Sequence, residues 1–449
     1  MNPQFLSRIQ SYIPEEYDHF IELLNAPLYK GVRVNTKKLS KEEFFRCFPK
    51  LEASPFSKDS YYIDHSIGNH PYHICGGLYM QEPSASSAVT ILDPQEDDFV
   101  MDLCAAPGSK STQIARSLKN GFLLSNEYES KRAQILLSNM ERMGVSNFAI
   151  TNMDTNVLCK QLPECFDKIL VDAPCSGEGM MKKHDAASEK WSLQNIELCA
   201  QRQKEILANA YLSLKKDGVL VYSTCTYAKE ENEEVVAWFL KEFEDMEQME
   251  IGADFGRCGL ETEGMDASKV CRIFPMDHGE GHFIAKFKKT GGSIKKLPVC
   301  NSAKINDCVQ SFLKEQVQNP MSYFHVEKGK ECDRVYMMNQ PFIKFKKGNV
   351  VRQGVYVGNI KKSRFEPEHA FYMCSDLLYN KFVECTIEEM DACMHGLELN
   401  RSIARGYVAF CFHGLPFGYG KSDGRRITNK IPKGLRLLPN SHVREVVDE

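Results

Sequence analysis

A chain of 449 residues, 43% apolar and 26% charged, holds material for two to four cores and is neither a lone binding module nor a disordered chain. Its longest apolar runs, such as Gly218 to Tyr222, fall far short of the roughly 20 residues that cross a bilayer, and charges scattered from Arg8 to Asp18 break up any secretion signal. The net charge of −4 speaks against nucleic acid on average, but it conceals two basic stretches in the second half of the chain.

Residues 1 to about 92 read as short helices and a few strands, closing on the turn Cys75-Gly-Gly77. From Phe99 the pattern becomes regular, with apolar runs at Phe99–Leu103, Phe122–Ser125, Phe148–Thr151, Lys168–Asp172 and Val219–Ser223, each followed by a helical stretch or a turn. Strands alternating with helices predict a parallel, doubly wound α/β sheet. A hairpin around Arg272–Phe274 and His282–Phe287 is expected to add an antiparallel edge, and Lys288 to Ser293 reads as a linker. The acids crowd between Lys229 and Asp266, whereas none lies between Arg334 and Phe365. Between Glu398 and Arg444 only Asp423 stands against Arg401, Arg405, Lys421, Arg425, Arg426, Lys430, Lys433, Arg436 and Arg444 itself. Aromatic residues and glycines from Phe412 to Lys421 supply stacking surfaces beside these charges, the combination that single-stranded nucleic acid requires.

Ligands of an open parallel sheet bind beyond the carboxyl ends of its strands, so the residues there are the informative ones. After the first run comes Asp102-Leu-Cys104-Ala105-Ala106-Pro107-Gly108-Ser109-Lys110, small residues leading into a helix whose N–H groups a ligand can approach. It is not a phosphate-binding loop, because Ser109 separates Gly108 from Lys110 and Asp102 stands where the first glycine belongs. Glu127 after the second run is placed to accept the two hydroxyls of a ribose, and Asp154 after the third to meet an adenine amino group. Together they predict a pocket for an adenosine-bearing cofactor. The fourth and fifth runs end in Asp172-Ala-Pro-Cys175 and Ser223-Thr-Cys225, and neighbouring strands would open both thiols onto one crevice. The other cysteines, among 17 that are scattered without a C-x-x-C pair, read as reduced cytoplasmic thiols, and no metal site is expected.

Asp102–Ala115, Val171–Gly179 and Tyr222–Tyr227 resemble the motifs of the RNA (cytosine-5) methyltransferases, the family of the bacterial Rsm and eukaryotic NSUN proteins. Arg33-Val-Asn-Thr36 and Gln81-Glu-Pro-Ser84 are similar to that family's N-terminal domain and its junction with the core, and Gly414–Lys421 with Asn429–Arg436 to the PUA-like domain of its RsmF branch. The resemblance implies a class I (Rossmann-like) S-adenosylmethionine-dependent core over 93–289, an N-terminal α+β accessory domain over 1–92, an intermediate domain over 297–380 and a PUA-like RNA-binding domain over 385–445. It implies methyl transfer to carbon 5 of cytosine in ribosomal RNA, 16S in the RsmF branch, with tRNA, 23S ribosomal RNA or a silent assembly factor as the alternatives. No membrane or obligate protein partner is implied. By residue type alone either cysteine can attack; the resemblance makes Cys225 the nucleophile and gives product release to Cys175. Asp172 would bind the cytosine edge, with Lys110 to hold it or to lower a thiol pKa, and Arg33, Arg425, Arg426, Lys430, Lys433 and Arg436 would bind RNA.

Overall fold

The computed structural model describes residues 2–182, 191–362 and 364–444, so residue 445, the expected end of the last domain, lies outside it. Strands β1 (Gly31–Val34), β2 (Ser60–Tyr62) and β3 (Leu78–Gln81) form a small antiparallel sheet in the order β2-β1-β3. The short helices Pro3–Tyr12 and Tyr17–Leu24 precede it and pack Phe5, Ile9 and Phe20 against Trp191, Tyr227 and Phe274 of the following domain.

The central sheet contains β4 (Phe99–Asp102), β5 (Phe122–Asn126), β6 (Phe148–Asn152), β7 (Phe166–Asp172) and β8 (Leu214–Thr224), all parallel. Apolar side chains of β4 to β6 are buried almost throughout, as expected of strands covered on both faces by helices. The helix Ser130–Arg142 shows how they are covered: Ala133, Leu136 and Met140 recur at the spacing of one helical face and all three are buried. Each such Leu contributes ~1.5–3 kcal/mol by leaving water.

Neighbour order in the sheet is β10-β11-β8-β7-β4-β5-β6-β14, with β10 (Val270–Ile273) and β11 (His282–Lys289) making the expected antiparallel edge and β9 (Met246–Gln248) pairing with β11. From β4 the chain winds first through β5 and β6 and then back through β7 and β8. The order therefore reverses between β4 and β7, and a crevice must open where their carboxyl ends diverge.

The opposite edge is closed by a strand from further along the chain. β12 (Tyr323–Glu327), β13 (Asp333–Met338), β15 (Val355–Lys361) and β16 (Arg364–Pro367) make a separate sheet, while β14 (Asn349–Gln353) between them pairs antiparallel with β6. Arg352 of β14 bonds Glu141 at 2.8 Å and lies over the rings of Tyr336 and Tyr356. A fourth sheet, β17 (Phe382–Glu384), β18 (Gly406–Phe412), β19 (Leu415–Ser422) and β20 (Ile427–Asn429), follows. Its Val383, Phe410 and Phe417 share one apolar cluster with Val32, Phe44, Tyr72 and Leu78 of the first sheet's domain. Among the described residues no helix is long and apolar enough to cross a membrane.

Candidate active site

The carboxyl ends of β4, β7 and β8 place four of the expected residues side by side. Asp172 ends β7, and Lys110 in the first turn of the helix Ser109–Ser117 reaches it with a 2.9 Å ion pair. Ser223 Oγ donates to the second Asp172 oxygen at 2.7 Å. Burial alone would raise this carboxyl, but the charge and hydrogen bond of Lys110 prevail and hold it below the usual carboxylate range. Burial likewise opposes the ammonium of Lys110, and Asp172 more than compensates, so the pair is ionic.

Asp102, fully buried at the end of β4, has the opposite fate: burial pushes it up to about 7, against the hydrogen bond that it accepts from Ser111 Oγ at 2.6 Å. Its Oδ1 is buried without a hydrogen-bond partner. The turn beyond it reaches the helix through Gly108 at φ 109°, where a Cβ would sit 3.1 Å from Leu136 Cδ1. Burial, then Asp102, Asp172 and Glu127, push the Cys104 thiol far up, so Cys104 lines this pocket as a neutral group. Glu127, nearly buried at the end of β5, accepts from the Glu129 N–H at 2.9 Å and lies 3.4 Å from Arg132. Asp154 is exposed after β6 and caps the next helix, its Oδ1 accepting from the N–H groups of Asn156 and Val157. The donor set suits a ligand with cationic groups and a ribose diol: acids at successive strand ends, one of them a buried acceptor with nothing to accept.

Cys175 and Cys225 meet as the strand order requires. Asp172 pairs with Ser223 in the β7–β8 register, and three residues beyond Asp172 and two beyond Ser223 the sulfurs stand 3.2 Å apart. The Cys175 thiol is pushed far up by its hydrogen bond with Cys225 and by burial. Around them the backbone is tightly fixed. The Gly179 N–H donates to the Cys225 carbonyl at 3.0 Å, and a Cβ at Gly179 would lie 2.9 Å from Gly281 O, 3.0 Å from Glu280 O and 3.1 Å from Cys225 O. Glu178 accepts from Trp191 Nε1 at 2.7 Å and from the Tyr227 N–H at 3.0 Å, and Glu231 accepts from the Ser176 N–H at 3.0 Å and Gln203 Nε2 at 2.8 Å.

The sequence reading overlooked these two acids, and also His282, Ser84 and Glu82. His282 opens β11 and faces the Lys110–Asp172 pair; burial, with Lys110, lowers it to about 3, so it is neutral, and its Nδ1 lies 2.8 Å from Ser84 Oγ. Only the motif Gln81-Glu-Pro-Ser84 carried a signal of that contact, and it read as a domain junction.

Arg33 is a correction. An arginine beside Val-Asn-Thr36 read as an RNA-binding residue, yet its side chain is fully buried and donates to the Ser109 carbonyl at 3.0 Å and Thr112 Oγ1 at 2.8 Å. With Ser109 Oγ donating to Gln81 Oε1 at 2.5 Å, it ties the N-terminal sheet to the helix that carries Lys110. The C-terminal basic residues are at the surface, but unequally free. Arg425, Lys430 and Lys433 are exposed, Arg426 is engaged by Glu398 and Asp423, and Arg436 is partly buried with its Nε on the Ile431 carbonyl.

Comparison with known proteins agrees along nearly the whole chain. Residues 89–288 match the family profile described as 16S rRNA methyltransferase RsmB/F, residues 1–83 the N-terminal domain of 16S rRNA methyltransferase RsmF, 311–374 the RsmF first C-terminal domain and 380–437 the RsmF PUA domain. Proteins named ribosomal RNA small subunit methyltransferase F from Shewanella oneidensis and Psychromonas ingrahamii are 31% and 32% identical, covering 97% and 96% of both chains. Among solved structures, a methyltransferase homolog protein from Pyrococcus horikoshii is 28% identical with a TM-score of 0.58, covering 64% of this chain and 95% of its own. The chain belongs to the ribosomal RNA small subunit methyltransferase F family, S-adenosylmethionine-dependent enzymes that methylate ribosomal RNA.

Proposed function

We propose that this enzyme methylates carbon 5 of a cytosine in 16S ribosomal RNA through a covalent bond between Cys225 and carbon 6 of the ring. The observation that carries the reading is the 3.2 Å approach of Cys175 and Cys225 beside the Lys110–Asp172 pair. Cofactor binding alone has no use for two thiols there. The assignment to 16S is supported by the family profiles that match residues 1–83 and 89–288, whose descriptions name 16S rRNA, and by relatives named for the small subunit.

The turn Cys104-Ala105-Ala106-Pro107-Gly108-Ser109 approaches S-adenosylmethionine with backbone, Glu127 takes its ribose hydroxyls, Asp154 its adenine amino group, and Asp102 and Asp172 face its cationic end. When bound, the cofactor supplies an electrophilic methyl group. Carbon 5 of cytosine is too weak a nucleophile to take it unaided. The Cys225 thiolate therefore adds to carbon 6, and the ring's displaced electron pair makes carbon 5 the attacking atom. The hydrogen bond with Cys225 and burial both disfavour ionisation of Cys175. Asp172, kept ionised by Lys110, accepts from the exocyclic amine of the ring and orients it. A water held beside Cys175 takes the carbon 5 proton, the electron pair of that C–H bond restores the ring double bond, and the carbon 6 to sulfur bond breaks to return the Cys225 thiolate.

The two thiols are separable. Cys225→Ala is expected to abolish both methylation and any protein–RNA adduct, whereas Cys175→Ala is expected to attack and then stall, leaving an adduct that survives a denaturing gel. The reverse pattern would make Cys175 the nucleophile. Bisulfite mapping of ribosomal RNA from a deletion strain identifies the cytosine, and an unmethylated position in 23S instead of 16S would overturn the substrate assignment.

A further inference from the structure

In the C-terminal domain three ligand-type side chains, far apart in the sequence, meet at one point. The helix Ile387–Met394, opened by a capping box of Thr386 and Glu389, carries Asp391 in its last turn and ends at His395. The chain returns to this helix near residue 442. Val443 is buried, and its N–H donates to Asp391 Oδ1 at 2.7 Å, which brings His442 to the other carboxylate oxygen. From Asp391 Oδ2 the Nδ1 atoms of His442 and His395 lie 3.3 and 3.5 Å away, and the ligand atoms of all three residues lie within 4.8 Å of one another.

The geometry points to a divalent transition-metal site formed by Asp391, His395 and His442, with zinc as its natural occupant. A tetrahedral zinc with bonds of about 2.0–2.1 Å has edges of roughly 3.3–3.4 Å, close to the separation of Oδ2 from each imidazole. One carboxylate and two imidazoles are a donor set that zinc accepts, with water in the fourth position. The carboxylate is already oriented by Val443, and the helix ends here, where its partial negative charge favours a cation. His395 would ligate through Nδ1, the atom 3.5 Å from Asp391 Oδ2, giving up the 2.8 Å bond of that nitrogen to the Asp391 carbonyl.

A plain ion pair explains one imidazolium on Asp391. The two rings, with centroids 5.5 Å apart, converge on the same carboxylate oxygen, which places two imidazoles and one carboxylate around a single point. The metal would pin the segment around residue 442 to the helix, and through it the Arg444 N–H that donates to the Asn69 carbonyl of the N-terminal domain at 3.3 Å. No spacing motif announces such a site, because its third ligand comes from a different part of the chain.

Thiolates also take zinc, and the chain has 17 cysteines, so the probe must tell nitrogen from sulfur ligation. Cobalt(II) added to the chelator-stripped full-length protein is expected to give visible d–d bands without a thiolate charge-transfer band, saturating at one equivalent per chain. Competition by zinc should then erase them. His442 is half-exposed, so His442→Ala leaves the fold in place. That variant and His395→Ala should each weaken cobalt binding by more than the roughly 10- to 100-fold that follows loss of a group merely hydrogen-bonded to a ligand. Zinc should raise the Tm of the wild-type protein and leave that of His442→Ala where it was. No d–d bands, bands accompanied by thiolate charge transfer, or affinity unchanged in both variants would each overturn the site.

Discussion

Asp102 has one side-chain hydrogen-bond donor, Ser111, for a fully buried carboxyl, and the consequence is a pH dependence with a definite sign. Its pKa rises from 3.8 in the unfolded chain to about 7 in the fold. Between those values the native state binds the proton more tightly than the unfolded state does, so Asp102 favours folding at low pH and that contribution is lost as pH rises through about 7. A shift of that size corresponds to something on the order of 4 kcal/mol. Asp102→Asn is therefore expected to flatten the fall of stability between about pH 4 and 7, measured by urea unfolding at a series of pH values, and to be more stable than wild type at pH 8. Lys110 acts in the other direction. Lys110→Met leaves the half-buried Asp172 without its cation, and should cost ~1–3 kcal/mol and abolish methyl transfer while RNA binding persists. An unfolding midpoint equal to wild type would show that the pair contributes nothing to the fold.

The loop after β7 is built around Gly179, which three carbonyl oxygens approach at once. A methyl group there forces the loop away from β8 or from the β10–β11 hairpin, and the sulfur separation changes with it. Gly179→Ala is expected to lower kcat by two orders of magnitude or so, in line with the ~100-fold that a displacement of about 1 Å at reacting groups costs, with a smaller change in S-adenosylmethionine affinity. Equal loss in both would place the damage in the cofactor pocket.

At this scale the sequence is a good guide in some places and a poor one in others, for physical reasons. The five parallel strands are legible because strands buried on both faces must be apolar, and the strand ends then locate Asp102, Glu127, Asp154, Asp172 and both cysteines without further help. The first turn of β8 is hidden, because Lys215-Lys-Asp-Gly218 reads as a polar turn although the strand starts at Leu214. β14 is hidden too: a strand with Arg352 in it looks like part of a basic surface, and its partner β6 is nearly 200 residues earlier. Several other bases of that acid-free stretch also find acids outside it, Arg334 on Glu327 and both Lys361 and Arg364 on Glu366. Arg33 misled for the same reason. A buried charge and a solvated one have the same letter, and it is the Ser109 carbonyl and Thr112 hydroxyl on the other side of the domain boundary that distinguish them.

Across the whole molecule the basic residues of the last sheet are available for a polyanion in different degrees. Arg425 and Lys430 are exposed, while Arg426 already has Glu398 and Asp423 beside it. Replacing Arg425, Arg426 and Lys430 with Ala should weaken RNA binding and flatten its salt dependence, by a slope of roughly 0.7 to 0.9 for each phosphate no longer neutralised, with S-adenosylmethionine affinity unchanged. Arg426 is expected to account for the smallest share when the three are replaced singly. Unchanged affinity and salt slope in the triple variant would mean that these residues only solvate the domain.

The apolar cluster common to the first and last sheets has a consequence for how the protein is made. Tyr72 packs edge-on against Phe412, and Leu78 shares one apolar cluster with Val383, Phe410 and Phe417, so the domain that leaves the ribosome first has an unfinished core until the C-terminal sheet follows it. Roughly 300 residues separate the two, about 15 to 60 s of synthesis at ~5–20 residues per second. Over that interval the nascent N-terminal domain presents bare Phe, Tyr and Val to the cell, and every truncation before β17 makes that exposure permanent. A ribosome that stalls in the intermediate domain therefore releases a client for chaperones and proteases instead of a smaller working enzyme.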